Sequence, residues 1–395
     1  MRRRAGVSAF FLQPAPVVVV NWRYPMMMFS PSRILHGSQM DTLFDEAGIC
    51  ARLGGYALLV TDAALQRNSV ITDVRGRLER AGIESILFDV ADENANSGIV
   101  KNGVSLASGG RAGYVIGLGS QSILDIGKII AIAAGTGMDV HDLIDTGGSI
   151  GGSGALPYLA IPTRCWNPLV FSGLGIIIDA RDGIAKCVQT GGAPDTVVFS
   201  STLPEKLTTK QIIYDTLCIL ESTIEANRED TGCVGYPLIS HAFETVVSIL
   251  RSIPIGETGP NRGAAQIAGI HSAWFSSHPE PGSALGRAAH ALTGIAPEWI
   301  TAALLPGVTD YWIEQESGRV PRLLSLLGLE TTENPQDDAV RVGREIRSLT
   351  ALADVPLRLR DLGLEPRIFS SIAESASPIC GIGSETLEGL LNASL

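Results

Sequence analysis

The stretch VIGLGSQSILDIGK, residues 115–128, places a short apolar run directly before glycines, serines and the start of a helical pattern. A strand that leads into a helix in this way directs backbone N–H groups and the positive end of the helix dipole at one point, which favours an anion. Gly117 and Gly119 permit a close approach that a side chain would block, and Ser120 and Ser122 add hydroxyl donors. The spacing is not GxGxxG, so a tight turn capped by serines is an equal alternative to a phosphate site.

The other candidates for proton transfer or ligand binding are scattered along the chain. Histidine suits general acid–base chemistry because its pKa lies near neutrality. His36 and His141 are expected at the surface, and His241 lies on an amphipathic helical segment where packing is the commoner role. Lys186, in DGIAK, is by composition a solvated turn lysine. The sequence contains no CxxC pair, which indicates reduced thiols in a cytoplasm. The cysteines are Cys50, Cys165, Cys187, Cys218, Cys233 and Cys380.

The bulk composition is that of a soluble globular protein with two domains. Its 395 residues are 45% hydrophobic and 18% charged, and they exceed what one ordinary core requires. The net charge of −11 argues against nucleic acid, whose binding needs clustered Lys and Arg. No window reaches the ~18 apolar residues of a membrane helix. The basic start resembles a signal peptide, but Gln13, Pro14 and Pro16 interrupt its apolar stretch, so we expect residues 1–28 to form an N-terminal extension.

An alternation of strand and helix patterns predicts a parallel sheet in the first half of the chain. Strands are predicted at 56–61, 83–88, 114–116 and 157–161, and helices at 70–81, within 92–106 and at 123–134. Three further strands, at 175–179, 185–188 and 196–199, are expected at an edge of that sheet. From residue 208 onward the periodicity is helical. The sequence therefore predicts an α/β domain with a parallel sheet at residues 29–203, followed by an all-helical domain at residues 204–395.

Together these segments resemble the iron-containing (group III) alcohol dehydrogenase and dehydroquinate synthase-like superfamily. The turn is similar to the family's hydrophobic–G–hydrophobic–GGGS–x–x–D–x–x–K segment, with matches at Gly117, Gly119, Ser122, Asp125 and Lys128. Further similar segments are FSPSRILHGSQMDTLFDEAG (29–48), LLVTDAAL (58–65), AIPT (160–163), PDTVVFSSTLPEKL (194–207) and ALLPGVTDY (303–311). The resemblance extends over residues 29–376 and implies the family's two-domain fold.

The resemblance also implies that the glycine turn binds a nicotinamide dinucleotide, NAD or NADP. Asp62 corresponds to the aspartate that contacts the adenosine ribose, and a carboxylate there repels a 2′-phosphate, so NAD is favoured. Lys186 falls where the family has a lysine near the nicotinamide ribose. The implied cofactor-binding residues are Asp62, Gly117, Gly119, Ser120, Gln121, Ser122, Asp125, Lys128, Thr163 and Lys186.

The family's metal ligands, an aspartate and three histidines, are not all present in this sequence. Asp215 matches the aspartate, but Ile219 stands one helical turn later, where the family has its first histidine. His290 matches the second histidine of an H-x-x-x-H segment, whose first position is Gly286 here. The remaining histidine position falls on a proline that precedes Glu298. We therefore expect no catalytic metal, and a rearranged site would have to form from Asp215, His290 and Glu298.

Residues 163–170, TRCWNPLV, differ from the family's small-residue loop TTAGTGSE. Trp166 and the rigid Pro168 change the shape of this loop. Arg164 adds a positive charge that could meet a phosphate or a carboxylate. Drift in a loop that is no longer used explains the same residues equally well.

The sequence thus predicts an NAD(P)-dependent oxidoreductase that transfers a hydride between nicotinamide and an alcohol or carbonyl substrate, without the family's metal ion. His290 or His278 would then transfer the proton, with His271 as a further candidate, or Arg164 would stabilise developing charge. Divergence from the family favours a tailoring enzyme of specialised metabolism that acts on a modified peptide or small molecule.

Two other functions stay open at this point. One is a catalytically silent homologue that binds nucleotide and serves as a partner or scaffold subunit. The other, a lyase like dehydroquinate synthase, is less favoured because that branch also depends on a metal. Expected partners are a small-molecule or peptide substrate, with no nucleic acid and no membrane, and a homodimer is compatible with these expectations.

Overall fold

The protein forms eight strands and thirteen α-helices within the part of the chain that the computed structural model describes. The predicted N-terminal extension, residues 1–28, lies outside the described residues. These are 33–37, 56–62, 65, 69–80, 82–90, 96–148, 154–228, 232–253, 261–276 and 278–395.

A six-stranded parallel sheet forms the framework of the first half of the chain. The strands in chain order are β1 (Arg33–Gly37), β2 (Tyr56–Asp62), β3 (Ser85–Val90), β4 (Ala112–Gly119), β5 (Tyr158–Pro162), β6 (Leu174–Asp179), β7 (Ile184–Gln189) and β8 (Thr196–Ser200). The sheet has the order β1-β8-β5-β4-β2-β3, and every pair in it is parallel. Successive residues Leu58 and Leu59 point to opposite faces and are both fully buried, so both faces are covered.

The expectation for the last three strands was wrong. β8 lies inside the sheet, because β1 pairs with it along its whole length and β5 pairs with its other side. β6 and β7 form a separate antiparallel hairpin rather than an edge of the sheet. Their connection turns at Gly183, whose φ of 73° lies in the left-handed region. Such a short connection can join only antiparallel strands, whereas parallel strands need a crossover.

Helices cover the sheet and build the second half of the chain. After β8, the described residues contain helices and turns but no strand, in agreement with the predicted parallel sheet followed by helices. The boundary at residue 203 stays a prediction. The helices are α1 (Ser69–Arg80), α2 (Ser97–Gly109), α3 (Gln121–Thr136), α4 (Val140–Asp145), α5 (Thr209–Ala226), α6 (Gly232–Ser252), α7 (Arg262–Phe275), α8 (Pro281–Thr293), α9 (Pro297–Gln315), α10 (Arg319–Leu327), α11 (Pro335–Ala351), α12 (Phe369–Cys380) and α13 (Ser384–Ala393).

The carboxyl ends of the central strands meet at one edge of the sheet. Gly119 at the end of β4 pairs with Pro162 at the end of β5, and Leu118 pairs with Thr61 of β2. The chain leaves β2 toward β3 on one side and leaves β4 toward β5 on the other. Ligands of open α/β sheets bind at such a switch point, outside the carboxyl ends of the strands.

Within the described residues, no helix combines the length and the apolar character that crossing a membrane would require. The four cysteines described with their side chains, Cys165, Cys187, Cys218 and Cys380, are free thiols. Burial raises the pKa of Cys165 and Cys218, so both favour the unreactive thiol form.

Candidate active site

The glycine turn connects β4 to α3 and leaves the start of that helix open. Ser120 is the N-cap residue, in extended conformation, and its hydroxyl caps no N–H of the helix. The first bond of the helix runs from the Leu124 N–H to the Ser120 carbonyl. The preceding N–H groups, of Gln121, Ser122 and Ile123, therefore have no acceptor within the helix. These N–H groups and the helix dipole make the turn suitable for an anion.

Both glycines are also required by packing beneath the turn. A Cβ atom on Gly117 would overlap the hydroxyl of Tyr158, which donates to the Leu124 carbonyl at 2.8 Å. A Cβ atom on Gly119 would lie 2.7 Å from Cβ of Ile123. The glycines hence let the strand, the tyrosine and the helix approach each other closely, whatever is bound at the turn.

The polar residues that follow the turn are buried and act below it. The Gln121 amide donates to Asp125 at 2.8 Å and accepts from the Leu169 N–H at 3.2 Å. Lys128 donates to the carbonyls of Leu169, Ser172 and Leu174 at 2.7–3.0 Å, which occupies all three of its N–H groups. Burial lowers its pKa to about 8.

The direct contact to a cofactor predicted for Lys128 therefore does not fit its position. Its ammonium group fixes the loop at 169–174 against α3, and no N–H remains for a phosphate. For Gln121, the side chain is likewise engaged by Asp125 and the Leu169 N–H, and the backbone N–H lies at the open start of the helix.

The other predicted cofactor residues are placed at different distances from the turn. The Thr163 N–H donates to the Gly119 carbonyl at 3.0 Å, so this residue adjoins the turn. Asp62 ends β2 at the same edge of the sheet and accepts from the Leu65 N–H at 2.9 Å. Lys186 lies on β7, pairs with Asp182 at 3.2 Å and does not line the pocket at the turn.

A pocket of about 60 Å³ joins the glycine turn to the helical half of the chain. The turn and the loop after β5 line one side, and α5, α8 and the start of α9 line the other. The volume equals roughly two water molecules, so only the reacting end of a substrate fits without rearrangement. The lining residues are Ser120, Gln121, Ser122, Arg164, Trp166, Asp215, Arg287, His290, Pro297 and Glu298.

Arg164 lies between two carboxylates in this pocket. Its Nε and Nη2 donate to the two oxygens of Asp215 at 3.2 and 2.6 Å, and its Nη1 donates to Glu298 at 2.7 Å. The side chains of Arg164, Asp215 and Glu298 are 14%, 1% and 16% exposed. Burial opposes the charged form of Arg164, but the two carboxylates outweigh it and raise its pKa above the ordinary value.

The two carboxylates respond differently to the same guanidinium. At Asp215 burial dominates and raises the pKa, although Arg164 works against it. At Glu298 burial acts in the same direction, but Arg164, a backbone N–H and Arg287 together outweigh it and the pKa is lowered. The two groups differ in their other neighbours, because the charge of Glu298 adds to the rise at Asp215, whereas a backbone N–H and Arg287 add to the lowering at Glu298.

His290 lines this pocket, and only one of its two ring nitrogens is hydrogen-bonded within the described residues. Its Nδ1 lies 3.0 Å from the Ile295 carbonyl, so Nδ1 carries the hydrogen and donates it. Its Nε2 is buried and has no hydrogen-bond partner within the described residues. An imidazole held in this way can accept a proton at Nε2 and return it.

The other two candidate histidines lie elsewhere. His278 is half-buried, with Nδ1 3.4 Å from the Pro279 carbonyl and 3.8 Å from Glu225, and it does not line the pocket. His271 packs edge-on against His241 with ring centroids 5.1 Å apart. The geometry therefore favours His290 over His278 as the group that transfers a proton.

Arg287 belongs to the pocket, although the sequence analysis did not select it. Its Nη1 donates to the Ser122 hydroxyl at 2.7 Å, and its Nη2 lies 3.5 Å from Asp125. The residue precedes His290 by three positions on α8, which places both on one face of the helix. That spacing in GRAAHALTG was the signal that could have identified it.

The residues brought together here do not fit a metal ion. Asp215, His290 and Glu298 do line one pocket, but Arg164 already occupies both oxygens of Asp215 and one oxygen of Glu298. Ile219 and Gly286, at two of the implied ligand positions, offer no donor atom. Across the described residues, no group of three or more His, Cys, Asp or Glu side chains is arranged to hold a metal.

Comparison with known proteins agrees with this arrangement of elements. Residues 31–200 match the model of the iron-containing alcohol dehydrogenase family. Lactaldehyde reductase from Escherichia coli (strain K12) is 22% identical over 355 residues, which are 85% of this chain and 90% of the relative.

Two solved structures share the fold. The alcohol dehydrogenase from Oenococcus oeni has a TM-score of 0.81 at 17% identity, covering 93% of this chain and all of that one (100%). The sulfoacetaldehyde reductase from Bifidobacterium kashiwanohense, solved with NAD+, has a TM-score of 0.72 at 16% identity, covering 92% and 97% of the two chains. The predicted fold class is confirmed.

Proposed function

Because the chain belongs to the iron-containing alcohol dehydrogenase family, we propose that it transfers a hydride between NAD(H) and a small alcohol or carbonyl substrate without a metal ion. One observation carries the proposal: the residues at the open start of α3 and His290, whose Nε2 has no partner within the described residues, line the same pocket. An anion site beside a proton-transfer group is the arrangement that such a reaction needs.

The turn provides the groups that would hold a dinucleotide. The pyrophosphate would be bound by the three N–H groups that have no acceptor in the helix and by the Ser120 hydroxyl, which caps no helix N–H. Arg287, which reaches Ser122 from α8, would add positive charge on the opposite side. Asp62 would favour NAD over NADP, since a carboxylate beside the ribose repels a 2′-phosphate. Bound at this turn, a nicotinamide supplies or accepts the hydride.

His290 performs the proton transfer in this proposal. The Ile295 carbonyl fixes its ring and its Nδ1–H, which leaves Nε2 as the site that holds the moving proton. In the reductive direction Nε2–H donates to the new alkoxide, and in the oxidative direction Nε2 accepts the alcohol proton. His278 stays a second candidate only if it can reach the substrate from its place beside Glu225.

The substrate is proposed to be a short aldehyde or the corresponding alcohol, because the pocket is small and the E. coli relative is named a lactaldehyde reductase. A role in tailoring a peptide or small molecule in specialised metabolism is part of the proposal for the natural substrate. The alternative, a silent nucleotide-binding subunit, predicts NADH binding without any turnover. NADH titration followed by NADH oxidation with lactaldehyde separates these two functions.

Cofactor binding should depend on Gly119. We expect Gly119→Val to weaken NADH affinity by at least about 10-fold. The new side chain would clash with Ile123 and displace the first turn of α3 together with its N–H groups. NADH fluorescence titration measures the affinity, and circular dichroism checks that the variant is folded.

A matched control is Gly109→Val, since a Cβ atom at Gly109 meets nothing within 4 Å. This variant should bind NADH like the wild type. If folded Gly119→Val binds NADH with unchanged affinity, the dinucleotide does not lie at the turn.

Activity should not depend on a metal ion. We expect purified protein to retain no stoichiometric iron or zinc after dialysis, because Arg164 already binds the two carboxylates that a metal would need. Elemental analysis measures the content, and turnover before and after EDTA measures the dependence. One equivalent of metal that survives dialysis, or loss of turnover with EDTA, would contradict the proposal.

A further inference from the structure

We infer that the guanidinium of Arg164 stabilises the negative charge that forms on the substrate oxygen, and that Asp215 and Glu298 are the positioning residues that hold it there. The inference rests on the proposed function, because it assigns a role within the same hydride transfer. In this inference the guanidinium of Arg164 takes the place of the family's metal ion.

The first support is a count of hydrogen-bond donors. A guanidinium has five N–H groups. Within the described residues, Arg164 uses one N–H of each nitrogen: those of Nε and Nη2 bind Asp215, and that of Nη1 binds Glu298. One N–H on Nη1 and one on Nη2 are left over. Arg164 lines the pocket, so this pair is available to a substrate oxygen.

The second support is the way Arg164 is held. Asp215 accepts two N–H groups from the guanidinium and a third from the Cys165 backbone at 2.8 Å. Glu298 is the second residue of α9, where the helix dipole favours a carboxylate. The guanidinium is thus held by Asp215 in the interior of α5 and by Glu298 at the start of α9 before any substrate binds. Such preorganisation is what makes charge stabilisation effective in catalysis.

The third support is the environment of the guanidinium. The pocket holds the volume of about two water molecules, and the side chain of Arg164 is 14% exposed. Charges interact more strongly where water is excluded. His290, whose Nε2 has no partner within the described residues, lines the same pocket, so an oxygen bound by Arg164 would share this pocket with the proton donor.

The reaction step that this arrangement would support is the reduction of an aldehyde to an alcohol. The carbonyl carbon gains a hydride from the reduced nicotinamide, and the electron pair of the C=O π bond moves to oxygen. The two free N–H groups of Arg164 hydrogen-bond to that oxygen as its charge grows. The oxygen then takes the proton from Nε2 of His290. The products are the alcohol, the oxidised nicotinamide and neutral histidine.

A purely structural role for the same ion pairs predicts different behaviour. As a clamp between the loop after β5 and helices α5 and α9, Arg164 would affect unfolding but not the binding of a carbonyl group. The two roles are separated by a probe that carries a carbonyl oxygen but cannot be reduced. Isobutyramide is such a probe, and its binding to the enzyme–NADH complex can be followed by NADH fluorescence.

The test compares the wild type with Arg164→Ala, Arg164→Lys and the control Arg347→Ala, which removes an exposed ion pair with Asp310. NADH affinity should be the same in all four proteins. We expect Arg164→Ala to weaken isobutyramide binding by at least about 10-fold and to lower turnover of lactaldehyde by about 100-fold. Arg164→Lys, which keeps the charge but loses the fork of donors, should fall between it and the wild type.

Added guanidinium chloride should restore isobutyramide binding to Arg164→Ala and leave the control unchanged. If Arg164→Ala does not fold, Arg164→Lys carries the test alone through its weaker isobutyramide binding. Unchanged isobutyramide binding in a folded Arg164 variant would overturn the inference, as would a wild-type NADH complex that binds no isobutyramide. A wild-type protein that binds no NADH would instead overturn the proposed function.

Discussion

Replacing His290 with glutamine should lower turnover by about 100-fold or more while NADH affinity stays unchanged. Glutamine keeps a similar size and can still donate to the Ile295 carbonyl, which His290 contacts at 3.0 Å. It cannot carry a proton between the substrate and solvent near neutral pH. Steady-state kinetics with lactaldehyde measure turnover, and NADH fluorescence measures the affinity.

His36→Gln is the matched control, because His36 is exposed on β1. It should behave like the wild type. His278→Gln tests the competing assignment: a large loss in that variant, with turnover intact in His290→Gln, would move proton transfer to His278 and leave His290 with a packing role.

We expect the protein to unfold at lower temperature as the pH rises from about 5 to about 8. Three buried glutamates near the start of α8 carry the effect, namely Glu221, Glu225 and Glu280. Burial is the main cause at each: it raises the pKa of Glu225 and of Glu280 to about 7, and that of Glu221 well above its ordinary value. Glu221 and Glu280 also repel each other when charged.

The direction in which the stability changes with pH follows from the number of protons that the folded and the unfolded states hold. The folded protein keeps these carboxyls protonated at a pH where the unfolded chain, with an ordinary pKa of 4.5, has lost the protons. The stabilisation is complete below about pH 4.5 and is lost as the pH rises through about 7. For one glutamate with this shift the loss is roughly 3 kcal/mol. Arg319 and His278 face Glu225, and a positive charge on either reduces the effect.

Differential scanning calorimetry at several pH values measures the trend. Glu225→Gln should flatten it, because glutamine resembles the protonated carboxyl at every pH, and the exposed Glu374→Gln should leave it unchanged. A thermal midpoint that stays level or rises between pH 5 and 8 would show that these glutamates are ionised in the folded protein.

The sequence predicted the parallel sheet and the glycine turn because both depend on neighbouring residues. Apolar runs at fixed spacing indicate buried strands, and a glycine-rich turn before a helix has a local signature. The position of β8 inside the sheet depends on β1, more than 150 positions earlier in the chain, and no local pattern encodes that pairing.

The pocket also depends on contacts that local sequence patterns do not encode. Arg164, Asp215 and Glu298 were each selected from the sequence, but as a loop charge and as two remnants of a metal site. Their ion pairs span 51 and 134 residues, so only the fold could show that the arginine lies between the carboxylates. Arg287 could have been selected from its spacing to His290, but its contact with Ser122, 165 residues away, also appears only in the fold.

A cation built into the polypeptide changes what the protein requires from the cell. Arg164 is synthesised with the chain in one copy per molecule, so the mechanism that we propose needs no delivery of iron and no loading step after folding. Oxygen cannot oxidise it as it oxidises ferrous ion, and a chelator or a competing metal cannot remove it from Asp215 and Glu298. If Arg164 takes the place of the metal as we propose, an organism would keep this protein in working form through iron starvation and exposure to air.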